Sequence, residues 1–255
     1  MQEKHAFSLV ELSIVLVILG LLAGGILSGQ SLIRAAELRS VITDHDRIAA
    51  AVNTFKDKYF SLPGDMSNAT KFWTAAAADY DTCIKTASTG KKTCDGNGDD
   101  TIVYNESYRF WQHLANAGLI EGQYDGITHG TTSWSSTTAN SPRGKISNTL
   151  WFVWNSLAPA SKSTVWFDGD YGNRLSIGVM ATNTEPGPFL KAEETWNIDK
   201  KIDDGKPGQG ILKVQWLNAN CVDQRSGKID SSSLDADYNL QGTGFACFPI
   251  FPQAF

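Results

Sequence analysis

From Leu12 to Ile33 the chain passes through 22 positions without a charged side chain. As an α-helix rising about 1.5 Å per residue, this segment is ~33 Å long, which matches the hydrocarbon thickness of a bilayer. The pattern then changes without a break. Leu38, Val41, Ile42, His45, Ile48, Val52, Phe55 and Tyr59 recur at steps of three and four, while Arg34, Glu37, Arg39, Asp44, Asp46, Arg47 and Lys56 fill the other faces. That is the pattern of an amphipathic helix. No proline precedes Pro63 and no glycine lies between Gly29 and Gly64, so the spacing predicts one helix from Ser8 to Tyr59, stopped by Leu62-Pro63-Gly64-Asp65. Its first half suits lipid and its second half a soluble core. A secretory signal has a shorter apolar region and a cleavage site behind it, whereas Gly24, Gly25 and Ser28 lie inside a helix that continues, so a retained anchor is expected.

Past Gly64 the periodicity shortens. Tyr108, Phe110, Trp111, Leu114, Ala115 and Ala117 fit a short amphipathic helix that ends at Gly118. Leu150–Val153, Val165–Phe167, Leu175–Met180 and Ile211–Leu217 read as strands, with a hairpin across Asp168–Asn173 and a helix over Phe189–Ile198. Thr128–Pro142 is rich in Ser, Thr and Gly and reads as a surface loop.

Composition narrows the function. The 255 residues carry a net charge of −5, so no basic field exists to hold a polyanion, and nucleic acid is not an expected partner. Eight Trp, seven Tyr and twelve Phe are first of all core packing for a mixed or β-rich domain. His45, His113 and His129 are scattered, and no HExxH, GxSxG or phosphate-cradling glycine loop occurs, so no enzymatic activity is expected.

Glu11 is the anomaly, a carboxylate among Phe7, Leu9, Val10, Leu12 and Ile14. Toward the middle of a membrane helix such a charge costs about 2.5–3.5 kcal/mol, and less near its end, so a pairing charge is expected. Lys4-His5-Ala6-Phe7-Ser8-Leu9-Val10-Glu11-Leu12, followed by the long apolar run, resembles the amino terminus of type IV pilins and type II secretion pseudopilins. The resemblance implies removal of a leader, residues 1–6, by a prepilin peptidase between Ala6 and Phe7, and methylation of the new amino group on Phe7. It also implies that Glu11, fifth in the mature chain, neutralises the amine of an adjacent subunit. Ala6 stands where most members have Gly, which implies slower processing or a tolerant peptidase. The partners implied are further copies of the chain or related subunits, the peptidase, an inner-membrane assembly platform and, before assembly, membrane lipid. The leader stays cytoplasmic, and the globular part is extracytoplasmic, first at the bacterial inner membrane and then in a periplasmic or surface filament. The organisation expected is a leader (1–6), a long helix (7–60) with a membrane-spanning first half, and a globular domain (61–255). The fold class expected is α+β, the amphipathic half of the helix packed on an antiparallel sheet. A membrane-tethered binding protein that never polymerises, holding carbohydrate or a surface through aromatics such as Trp134, is the alternative.

Two further features belong to the globular part. Cys83, Cys94, Cys221 and Cys247 suit an oxidising compartment. Of three connectivities, Cys83–Cys94 with Cys221–Cys247 closes two local loops worth about 3–4 kcal/mol each, and the second resembles the carboxy-terminal disulfide loop of pilins. A zinc site is disfavoured, because neither pair has CxxC spacing. The run Asp95-Gly96-Asn97-Gly98-Asp99-Asp100-Thr101 to Glu106 reads as an EF-hand-like calcium loop, with ligands expected from Asp95, Asn97, Asp99, the Thr101 carbonyl and Glu106. Asp100 replaces the glycine of the sharp turn, and Lys91-Lys92-Thr93-Cys94 is no entering helix. A second acidic turn, Asp199, Asp203 and Asp204, is a weaker cation candidate, since Lys200, Lys201 and Lys206 interrupt it.

Overall fold

The unbroken apolar and amphipathic pattern is realised in the computed structural model as a single helix, α1, Leu9–Tyr59. The structure describes residues 9–88, 90–103, 105–129, 135–156, 165–180, 186–223 and 230–255. The chain divides into two compact units, one ending at Arg39 and the other spanning Ser40–Phe255. In the first unit apolar side chains stand exposed on every face of α1, from Leu9 at 85% to Ile33 at 62%. Among the described residues this is the one helix long and apolar enough to cross a membrane, with a mean hydropathy of 2.5 over its most apolar window. The hydroxyls of Ser13 and Ser31 donate to the carbonyls of Val10 and Ser28 at 2.8 and 2.9 Å, so neither is left unmet in an apolar surrounding.

In the second unit the helix buries Val41, Asp44, Ile48, Ala51, Val52 and Phe55. Asp44 departs from the sequence expectation, which put it on a solvated face. It stands three residues after Val41 and four before Ile48, in the middle of the stripe, so helix geometry carries it inward despite its charge. The Arg47 guanidinium lies 3.5 Å from its carboxylate. Phe55 faces the rings of Trp73 and His113, each at 6.3 Å, and His45 stacks on Phe251 at 4.3 Å.

After α1 come a 3-10 turn at Ala69–Lys71, β1 (Thr74–Ala75), α2 (Tyr80–Cys83), β2 (Lys92–Thr93) and α3 (Asn105–Asn116). β1 and β2 form a short parallel pair, and the Cys83–Cys94 disulfide closes the loop between α2 and β2. Among the described residues four strands make the main sheet: β3 (Thr149–Ser156), β4 (Gly172–Val179), β5 (Lys213–Gln215) and β6 (Phe248–Phe251), ordered β3-β4-β6-β5 and antiparallel throughout. α4 (Ala192–Ile202) lies between β4 and β5 in sequence, and the Glu194 carboxylate accepts the Lys191 amide at its start, at 3.0 Å. The second disulfide joins Cys221 to Cys247, next to β6.

The α+β class is as expected, and two details of the sheet are not. Val165–Phe167 forms no strand, and no hairpin spans Asp168–Asn173. Instead β4 pairs along its whole length with β3, Thr149 opposite Val179 and Ser156 opposite Gly172. Eight cross-strand pairs outweigh the short local hairpin. β6 is a strand absent from the sequence expectation, and it forms around Pro249 although proline is rare in interior strands. The proline is tolerated because the β4–β6 ladder runs only as far as Ser176 and Ile250, so the donor that Pro249 lacks falls outside it, and the Val214 amide opposite turns away to Pro207 at 3.0 Å.

The turn after α1 is held by α3. Gly64 has φ +87°, and a Cβ there would stand 2.4 Å from the Glu106 carbonyl oxygen, so only glycine fits. Its amide donates to His113 Nδ1 at 2.9 Å, so the ring proton sits on Nε2, which faces Thr93 Oγ1 and the Cys94 carbonyl at 2.9 and 3.2 Å. Burial, with the Arg109 charge adding to it, lowers the His113 pKa to about 3, against the Cys94 carbonyl, which raises it. The folded state therefore resists a proton that the unfolded chain accepts from pH 6.5 downward, and the stability His113 contributes is present above pH 6.5 and lost as pH falls toward 3. The wild type should lose up to about 1.4 kcal/mol per pH unit over this range relative to His113→Gln. Chemical unfolding of both proteins between pH 7 and 4 measures it, and parallel pH profiles would exclude a neutral buried His113.

Candidate functional site

The helix start comes first in chain order. Ala6 and Phe7 lie outside the described residues, as does Trp134. Glu11 is in the first turn of α1 and exposed, as are Leu9, Val10, Leu12 and Ile14 around it. A carboxylate that protrudes from an apolar cylinder meets whatever the cylinder is packed against, lipid headgroup or neighbouring helix.

The acidic loop is organised from outside itself. Asp65, which the loop spacing does not include, is 1% exposed. Its carboxylate accepts the amides of Gly98 and Asp99 on Oδ1, at 2.7 and 3.1 Å, and of Asp100 on Oδ2, at 2.9 Å. Three successive amides turned onto one carboxylate make an anion nest. Asp100 takes φ +62°, so the missing turn glycine is replaced by a residue that tolerates the left-handed region. Gly96 is required by contact, because a Cβ there would lie 2.3 Å from the Asp65 carbonyl carbon.

The expected ligands separate into two groups. Asp95 is turned away, both of its oxygens engaged by Thr70, Oδ1 by the amide at 2.7 Å and Oδ2 by the hydroxyl at 3.0 Å. That corrects its assignment to the cluster: the 3-10 turn at Ala69–Lys71 offers it two donors. Asp65, Asp99 and Glu106 instead bring one carboxylate oxygen each within 4.8 Å of one another. Glu106 accepts the amides of Asn97 on Oε1 and Val103 on Oε2, at 3.1 and 3.3 Å. Asn97 donates its side-chain amide to Asp99 at 2.9 Å, and Asp99 accepts the Thr101 amide at 2.9 Å. The loop is tied to the sheet through Asn173, whose side chain accepts the Ile102 amide and donates to the Asp100 carbonyl, at 2.9 and 2.8 Å.

Burial raises the Asp65 pKa against the pull of the Asp100, Gly98 and Asp99 amides. Burial likewise pushes Glu106 up to about 7, with Asp65 and Asp99 adding repulsion and the Asn97 and Val103 amides opposing. The stability Glu106 contributes is thus present in acid and lost as pH rises from about 4.5 through 7. A bound cation would compensate the same repulsion.

The second acidic turn is also gathered, with Asp199, Asp203 and Asp204 offering oxygens within 4.8 Å of one another. Asp199 is fully buried, accepts the Tyr238 hydroxyl at 2.8 Å, and is pushed up to about 7 by burial. Asp203 accepts the Ile211 amide, and Asp204 Oδ1 that of Lys206 at 2.7 Å. The Lys206 ammonium goes to Asp237, at 2.8 Å.

Residues 1–27 match the family described as the prokaryotic N-terminal methylation motif. No curated protein and no solved structure matches the chain. The amino terminus is that of a type IV pilin-like prepilin-peptidase substrate, and a motif of this type points to a structural protein rather than an enzyme. Together with the apolar helix it fits a membrane-anchored, extracytoplasmic protein.

Asp65 is the residue whose importance the geometry raises most. Asp65→Asn sets an amide nitrogen against backbone donors, and the expected cost is about 1–3 kcal/mol of unfolding free energy. Asp100→Asn, exposed and in a backbone region that asparagine tolerates, should stay within about 0.5 kcal/mol of wild type. Denaturant unfolding of the detergent-solubilised chain measures both. Equal midpoints would show that the nest does not depend on the charge of Asp65.

Proposed function

We propose that the chain is a structural subunit of a type IV pilus or of a type II secretion pseudopilus-like filament, anchored in the inner membrane before assembly and polymerised through α1. The observation that carries this reading is the methylation motif at residues 1–27 running directly into a helix exposed and apolar all round. A helix of that kind needs lipid or other copies of itself around it. Prepilin peptidase cuts between Ala6 and Phe7, Phe7 is methylated, and Glu11 meets the amine of a neighbouring Phe7 inside the filament. Opposite charges brought together inside an apolar bundle gain most when each meets the other with good geometry.

Glu11→Ala removes a charge that lipid disfavours, so membrane insertion survives or improves. Incorporation into sheared surface filaments should fall, because the neighbouring amine is left buried without its carboxylate. Mass spectrometry of the wild-type amino terminus is read alongside and should show methylated Phe7. Normal filament yield from processed Glu11→Ala would remove this carboxylate as an assembly determinant. A wild type that is membrane-anchored but never found in filaments would overturn the filament reading.

The proposal extends to calcium. Asp65, Asp99 and Glu106 form a hard, oxygen-only set of the kind calcium takes, with Asn97 beside them. What supports it is that three carboxylates are gathered within 4.8 Å of one another, where backbone amides and the Asn97 side chain donate to them and their mutual repulsion remains. Calcium binding to the native state raises stability by RT ln(1 + [L]/Kd), about 2.7 kcal/mol at a hundredfold excess over Kd. Wild type should melt higher in millimolar calcium than in chelator, and Glu106→Gln should not. An identical melting temperature with calcium and with chelator would leave the loop a purely backbone-organised turn.

A further inference from the structure

Phe60, the residue after α1, has φ +55° and donates its amide to the Lys56 carbonyl at 2.8 Å. This is the helix-closing position that glycine normally fills, because side chains are disfavoured in the left-handed region and bulky ones most of all. The fold gains no burial in return, since Phe60 is 91% exposed. Strain of this kind gathers at binding and switch sites. Phe60 lines a cleft in the second unit together with Tyr59, Phe72, Ser67, Asn68 and Asp100. The cleft has about 710 Å³ of room, within the ~300–1,000 Å³ usual for small-molecule sites. Its other exposed ring, Phe72 at 55%, is held edge-on to Tyr59 at 5.1 Å. Tyr59 in turn packs on the buried Phe55 and Trp73, at 4.5 and 5.4 Å, so the aromatic side is fixed from behind. Asn68 holds the cap position of the 3-10 turn yet makes no side-chain cap hydrogen bond, which leaves its amide to serve the cleft.

We propose that this cleft binds a neutral saccharide, one pyranose unit laying its C–H face on the Phe60 ring with its hydroxyls toward the polar lining. A pyranose is apolar on its face and polar around its edge, and the cleft offers exposed rings beside a hydroxyl and an amide. An anion is disfavoured by the carboxylates of Asp65 and Asp100, both of which line the cleft. A cation is disfavoured by the Lys58 ammonium, which lies 5.1 Å from the Tyr59 ring centre and already uses that ring. A wholly apolar ligand would cover polar groups without meeting them, which is costly. The saccharide can come as a free oligosaccharide or as part of an insoluble glycan. All of these residues belong to the second unit, so the inference holds whether or not the subunit polymerises.

The test uses the full chain in a detergent without a sugar headgroup, with millimolar calcium present. It is titrated with cellotriose, maltotriose and chitotriose, and with mannitol as a polyol that has no ring, followed by ligand-observed NMR. Sedimentation with cellulose, starch or chitin particles covers the insoluble form. At least one trisaccharide or particle should bind, and mannitol should not. Phe60→Gly should weaken that binding at least about fivefold through the lost apolar contact. Its melting temperature should at the same time rise by about 2–4 °C, because glycine relieves the left-handed strain. Phe60→Tyr, which keeps the ring, should bind like wild type. Weaker binding in a more stable protein does not come from misfolding. Saturation by a soluble trisaccharide identifies a free oligosaccharide as the ligand, and sedimentation with particles alone identifies an insoluble glycan. The proposal is overturned if no trisaccharide and no particle binds, or if mannitol binds as well as the trisaccharides. It is also overturned if Phe60→Gly keeps the wild-type affinity, and a fall in its filament yield would then reassign the ring to a contact between subunits.

Discussion

Apolar side chains cover every face of α1 from Leu9 to Ile33, a surface that water penalises in proportion to its area, about 25 cal/mol per Å². The stripe from Val41 to Phe55, by contrast, has only one face to bury and buries it in a protein core. The change occurs inside one helix without a proline or a cap between the halves. That constraint sets the order of the rest. The globular part has to supply a partner for a single helical face, and the all-round apolar half has to find one outside the chain.

The partner for the buried face is built from polar as much as apolar material. Every residue of α3 from Glu106 to Leu114 is buried, including Arg109, Gln112 and His113. The Arg109 guanidinium donates to the Cys83 and Thr86 carbonyls, at 2.9 and 3.0 Å, and to Ser88 and Gln112, at 3.0 and 2.7 Å. Gln112 reaches the Tyr124 carbonyl at 2.9 Å and accepts from Thr93 at 2.7 Å. One helix thus fastens the disulfide-closed loop on one side and the Tyr124–Asp125 segment on the other. Apart from Arg109 Nε, which has no partner among the described residues, these groups are met, and such a network favours one arrangement because a slip strands further buried donors or acceptors.

The acidic loop shows the same economy. Asp65 belongs to the turn that stops α1, and Glu106 to the start of α3. Each accepts backbone amides from the loop between them, so a single turn couples the end of the long helix to the helix that packs beneath it. The carboxylates that perform this coupling are also the ones gathered closely enough to share a cation. Ordering the loop and concentrating negative charge are therefore one structural event; Glu106 is raised to about 7 first by its burial there, against the pull of the loop amides, with the neighbouring carboxylates adding to the rise.

Much of this was legible in the order of residues alone, where the physics is local. Periodicity and the absence of proline define α1, because helical hydrogen bonds reach only four residues away. Pro63 and Gly64 stop it, and Glu11 stands out against its neighbours, because both are contrasts along the chain. What acts through space escaped that reading. Asp95 turns to Thr70, while Asp65, thirty residues upstream, takes the centre of the loop. β4 chooses β3 over the nearer Val165–Phe167, and a strand forms around Pro249. In each case a distant group supplies the partner that decides the outcome: an amide, a hydroxyl or a neighbouring strand. Sequence spacing carries no record of such a partner until the chain has closed around it.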